Sequence, residues 1–74
     1  MNIKVYEAPK IGKKIRAARK DKKIGQTECA RLCQLSRSQY CNIEADHYAT
    51  TSLESIYRIA RVLEISIDEL LGLG

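Results

Sequence analysis

Apolar residues recur at intervals of three and four along most of this 74-residue chain, broken by short polar stretches, which is the period of packed helices. From Lys10 to Lys23, Ile11, Ile15 and Ala18 fall on one side, while Lys13, Lys14, Arg16, Lys20 and Lys22 take the others, predicting a basic amphipathic first helix. Gly25 serves as N-cap to a second helix, QTECARLC, with Cys29, Ala30 and Cys33 inward and Glu28 in the first turn, where a carboxylate favours the helix dipole. Ser36 and Gln39 have the spacing of a capping box, so a third helix starts at Arg37. After the polar stretch ADHYATT, Thr51 with Glu54 is expected to cap a fourth helix carrying Leu53, Ile56, Ile59, Ala60 and Leu63. Ser66 with Glu69 opens a last short helix through Leu71, stopped by Gly72.

Ahead of these, NIKVY alternates at a strand period over too few residues to stand alone, and Pro9 sets it apart. The expected organisation is an N-terminal arm over residues 1–9, a candidate short strand, followed by one all-α domain of five helices over residues 10–74. A chain this short buries only about 60% of its unfolded surface, which excludes a deep cleft between two lobes.

The connection QLS between the second and third helices is three residues long, the mark of a helix-turn-helix. Stepping the third helix at about 100° per residue puts Tyr40, Ile43 and the cap Ser36 on one side. Ser38, Cys41, Asn42 and Ala45 fall on the other, with Arg37 projecting from the end. A helix about 10–12 Å across fits the major groove of DNA, and short polar side chains on its outer face let it lie close to the base edges. Arginine and asparagine are the side chains best matched to guanine and adenine there.

Charge adds a direction to this picture. The formal net charge is +4. Residues 1–43 hold 11 Lys or Arg against 3 acids, and residues 44–74 hold 2 against 6, so the halves carry +8 and −4. The basic half suits a polyanion, and Lys13, Lys14, Lys20 and Lys23 form the pool from which phosphate contacts are expected. Hydrophobic residues at 45% and charged residues at 30% describe a folded domain. No apolar run reaches the roughly 18–20 residues that cross a bilayer and the N-terminus lacks the apolar segment of a signal peptide, so a cytoplasmic protein without a membrane partner is expected.

The odd number of cysteines argues against a disulfide framework. Cys29 and Cys33 are expected as small buried hydrophobes. Together with Cys41 and His47 they lack the paired spacing of a zinc site, so no metal and no cofactor is expected. Cys41 projects from the outer face and is the one candidate for a thiol switch. With one histidine, no phosphate loop, no nucleophile elbow and no paired carboxylates on one face, no catalytic constellation assembles and an enzyme is not expected.

Four blocks, IGKKIRAARK, GQTECA, LSRSQYCNIE and SLESIYRIARVLEISIDELL, resemble in order and spacing the lambda-repressor and Cro-like helix-turn-helix family, also called XRE, from Ile11 to Leu71. The resemblance implies a compact five-helix DNA-binding domain. It implies that Gln26 touches the DNA backbone and braces the third helix, that Arg37, Ser38 and Asn42 read bases with Gln39 beside them, and that Arg19 and Glu44 form a scaffold salt bridge. Gln34 stands where the family usually has glycine in the turn, and a left-handed backbone there is expected to cost on the order of 1 kcal/mol. Asp46 replaces the usual glycine or asparagine after the third helix, and Cys29 the usual core leucine of the second.

The function expected is a sequence-specific transcriptional regulator, a repressor or controller, binding a palindromic operator in double-stranded DNA as a homodimer. Leu70, Leu71 and Leu73 are the candidate interface residues, with the NIKVY arm as a second candidate. The rival reading is a protein-interaction module, such as an antitoxin that acts mainly through a partner protein.

Overall fold

In a computed structural model, residues 10–47 and 52–72 are described. Five helices occupy them: α1 (Gly12–Asp21), α2 (Gln26–Leu32), α3 (Arg37–Glu44), α4 (Leu53–Leu63) and α5 (Ile67–Leu71). The architecture is the all-helical, lambda-repressor-like one, with α2 and α3 as the helix-turn-helix. The arm over residues 1–9, Thr51 and Leu73 lie outside the described residues.

Local chemistry sets the starts of four helices. Gly25, in an extended conformation, precedes α2 without a side-chain bond. Ser36 forms the full capping box with Gln39, its hydroxyl accepting from the Gln39 N–H and its own N–H donating to the Gln39 side chain. Ser66 accepts from the N–H of Glu69 at 3.0 Å. The α4 cap differs from the expectation: Ser52, not Thr51, accepts from the N–H of Ser55, because two adjacent hydroxyls compete for one cap and the helix begins one residue later.

The helix ends share a different device. Lys23, Gln34, Asp46 and Glu64 all have positive φ, between 57° and 63°, and each stands one or two residues beyond the end of α1, α2, α3 or α4. The N–H of the next residue reaches back five residues in each case, Ile24 to Arg19, Leu35 to Ala30, His47 to Asn42 and Ile65 to Ala60. These are Schellman closures, which satisfy the carbonyls a helix otherwise leaves bare. Ile24, Leu35 and Ile65 then tuck against the core. Gly72 closes α5 with φ 73°.

The core gathers Ile11, Ile15, Cys29, Cys33, Tyr40, Ile43, Ile59, Leu63 and Leu70 from all five helical regions. Each such side chain taken fully out of water contributes roughly 1.5–3 kcal/mol for the larger aliphatics. Two expectations fail here. Leu70, assigned above to a dimer interface, is 1% exposed and belongs to the core, because a five-residue helix has a single inward position and Leu70 occupies it; Leu71 is half-buried beside it. Leu53, expected inside, is 75% exposed, since it lies about 120° around α4 from the buried Ile59.

Candidate nucleic-acid interface

Helix α3 is held from both ends. Its start is fixed by the Ser36 box, and its body by Tyr40 and Ile43, both buried. Its end is clamped to α1. The Arg19 Nε donates to Glu44 Oε2 at 3.0 Å, Nη2 to Oε1 at 2.9 Å, and Nη1 to the Ile24 carbonyl at 2.9 Å, so all three guanidinium nitrogens are engaged. Gln26, at the first turn of α2, adds a donation to Glu44 Oε1 at 3.3 Å. The carboxylate therefore ties α1, α2 and α3 together at a point.

Electrostatics at this knot favour the charged pair. Burial raises the Glu44 pKa, but the polar hydrogens of Arg19, Tyr40 and Gln26 around it outweigh burial and leave it below the ordinary carboxylate value. Its hydrogen bond to Glu44 raises the Arg19 pKa in turn. The Tyr40 hydroxyl sits beneath the pair, close enough to Glu44 to favour the anion, yet reaches no partner at full hydrogen-bonding geometry. Burial, with Cys29 and Glu44 beside it, pushes the phenol pKa upward. Burial likewise holds the Cys33 thiol up at about 12, so it stays a neutral packing group.

A second clamp holds the start of α1 to the same C-terminal end of α3. The Gly12 N–H donates to Asp46 Oδ1 at 2.8 Å, which caps α1, whose N-cap Ile11 offers no side-chain acceptor. The left-handed turn at Asp46 is what aims that carboxylate at α1.

The outward face of α3 presents Arg37, Ser38, Gln39 and Asn42, all exposed. Among the described residues no ion pair engages Arg37. Gln39 is different, for its side-chain oxygen accepts from the Ser36 N–H at 3.0 Å. A bidentate contact needs oxygen and nitrogen together, so Gln39 can offer only its amide N–H₂ unless the cap opens. Beside this face runs an open groove lined by Arg16, Arg19, Gln26, Cys41, Glu44 and Ala45.

The lysines divide. Lys13, Lys20 and Lys23 are exposed, with no ion-pair partner among the described residues. Lys14 turns the other way, donating to the Glu69 carbonyl near the end of α5 at 2.9 Å, where a cation favours the dipole. Arg16 lay outside the expected phosphate pool, yet it lines the groove next to Gln26. The available signal was its position three residues before Arg19, which puts the two on neighbouring parts of one helix face. Among the described residues no cluster of His, Cys, Asp and Glu is placed to hold a metal ion, and no helix is long and apolar enough to cross a membrane.

A family model described as a helix-turn-helix domain matches residues 12–73. The chain belongs to this helix-turn-helix family, of the lambda-repressor and Cro type. Within the family it is 36% identical over 62 residues to an immunity repressor protein of Bacillus phage phi105. That match takes in 84% of this chain and 42% of the phage protein, so the chain spans less than half the length of this relative. No solved structure matches. The family assignment agrees with the geometry, since α2, the turn at Gln34 and α3 all lie inside the matched range.

Proposed function

We propose that this protein is a sequence-specific DNA-binding transcriptional regulator that binds a palindromic operator as a homodimer. One observation carries the reading: Arg37, Ser38 and Asn42 stand exposed on a helix that is immobilised from behind by the Arg19–Glu44–Gln26 knot. Rigid presentation of short polar groups lowers the ordering cost of reading base edges. Arg37 and Asn42 read bases, with Ser38 between them and Gln39 contributing a donor only. Arg16 and Gln26 in the groove, with Lys13, Lys20 and Lys23, hold the phosphates that set the register of α3. The likeness to a phage immunity repressor supports control of transcription as the purpose of that binding.

The dimer follows from how little one helix can read. A single α3 spans only a few base pairs, whereas two related by a dyad read half-sites roughly 34 Å apart. Selection of bound duplexes from a random pool at two salt concentrations tests the reading. Recovery of an enriched palindrome is the expected result. Weak, sequence-blind binding that vanishes with salt would overturn it and favour a module that acts through a protein partner.

A further inference from the structure

Arg19, Gln26 and Tyr40 all turn polar hydrogens toward the Glu44 carboxylate, and only the first two reach it. Arg19 donates at 3.0 and 2.9 Å and Gln26 at 3.3 Å, the longest bond of the knot. The Tyr40 hydroxyl, on a side chain with no exposed surface, has no hydrogen-bond partner among the described residues. An unpaired buried donor is unfavourable, and native proteins keep few of them. Arg19 and Gln26 fill three of the carboxylate's roughly four acceptor positions, so one stands open for it.

The other side of Glu44 presents a conflict. Together with Arg16, Gln26 and Cys41 it lines the groove in which the functional reading places a phosphate. Arg16 suits that anion, being exposed and in no ion pair among the described residues. Glu44 does not. Its carboxylate repels a phosphate in the same groove and competes with it for the Gln26 amide.

We propose that Tyr40 is the positioning residue that resolves this conflict: when a phosphate takes the Gln26 amide, the Glu44 carboxylate tilts inward and accepts from the Tyr40 hydroxyl instead. The inference rests on the reading of the groove as a phosphate site. Hydrogen bonds are conserved in the exchange, since Gln26 transfers one donation to the phosphate and Tyr40 supplies the one that Glu44 loses. Arg19 stays on Glu44 throughout, so the tie from α1 to α3 does not open. The movement is small, because the hydroxyl already lies close enough to Glu44 to help hold its pKa down. Tyr40 and Glu44 are four residues apart on α3, so they share one face and the new bond forms within the helix that meets the bases.

Tyr40→Phe removes the hydroxyl and leaves the ring in the core. In the free protein that hydroxyl is unpaired, so urea unfolding of the full chain should show no loss of stability. Affinity for a duplex of arbitrary sequence at low salt should nevertheless fall roughly three- to tenfold, the worth of one hydrogen bond. A selected operator should lose the same factor, because the contact served is to phosphate. Unchanged affinity, or a loss of stability in step with affinity, overturns the proposal.

The Gln26→Ala background gives a second measurement that contains no DNA. There the carboxylate is already released to turn inward, so Tyr40→Phe should now lower the urea midpoint while having no further effect on affinity. An equal response of stability in the two backgrounds overturns the exchange. If the wild-type chain binds no duplex at low salt, the functional reading falls, and the unfolding comparison alone decides whether Glu44 passes between Gln26 and Tyr40.

Discussion

The α-carbon of Gly12 lies against the carbonyl of Glu44, so close that a methyl group added to the glycine would overlap the carbonyl oxygen. Helix α1 can therefore approach the end of α3 only because residue 12 has no side chain. Gly12→Ala must push the two helices apart, and the obstacle is backbone that cannot rotate away. A loss of about 1–3 kcal/mol or more in urea unfolding is expected, with a matching fall in Tm. Unchanged stability would show that the α1–α3 clamp is loose.

Glu44 gives a pH signature. Its folded-state pKa lies below the ordinary value of 4.5, so the stability it contributes is fully present above that value and is lost as the pH falls through the folded pKa. At neutral pH, Glu44→Ala strands the Arg19 guanidinium, whose side chain is 10% exposed, and should cost about 3 kcal/mol. The gap between wild type and variant should begin to narrow as the pH falls below the ordinary carboxylate value, where the unfolded chain takes up the proton, and close once the pH passes the lower folded-state pKa and the native carboxylate is protonated. A gap that stays constant down to acid unfolding would remove the ion pair from the account.

These two clamps also show what was legible in the sequence. The Arg19–Glu44 pair was expected from the family resemblance and stands in the structure at 2.9 Å. The Gly12–Asp46 clamp was not expected, because closeness between elements 34 residues apart leaves no local pattern. N-caps were readable where one hydroxyl stood alone, as a full capping box at Ser36 and as a one-way cap at Ser66, and misread by one residue where Thr51 and Ser52 are neighbours. Leu70 and Leu71 could not be assigned inward or outward from periodicity, since α5 spans little more than one turn.

For recognition, Asn42→Ala or Arg37→Ala should weaken binding to a selected operator by roughly 1–3 kcal/mol while sparing non-specific binding. Competition titrations against unrelated duplex measure both at once. Equal loss on the two kinds of DNA would make these residues anchors instead of readers. Gln39→Ala should behave differently, lowering stability through the lost box in addition to any effect on DNA.

Two cations two residues apart on α1 should part company. Arg16 lines the groove beside Gln26, and Lys14 is bonded to the end of α5. Arg16→Ala should reduce the slope of log affinity against log salt by about 1, uniformly across sequences, and Lys14→Ala should leave the slope unchanged. The reverse pattern would place the DNA on the other side of α1.

The turn of the helix-turn-helix offers a gain instead of a loss. Gln34 has φ 58° with its side chain exposed, so Gln34→Gly relieves the left-handed conformation without opening a cavity. After the extra chain entropy of glycine is offset, a net stabilisation of about 0.5–1 kcal/mol is expected by chemical denaturation.

The same reasoning reaches beyond that one turn. Lys23, Gln34, Asp46 and Glu64 are four separate corners, each bearing a residue that sits less comfortably there than glycine. None of them is among the side chains that α3 turns outward. At Gln34 and Glu64, which hold neither the α1–α3 clamp nor a proposed phosphate contact, the stability of this protein can thus drift up or down by single codon changes that leave the proposed reading face as it is.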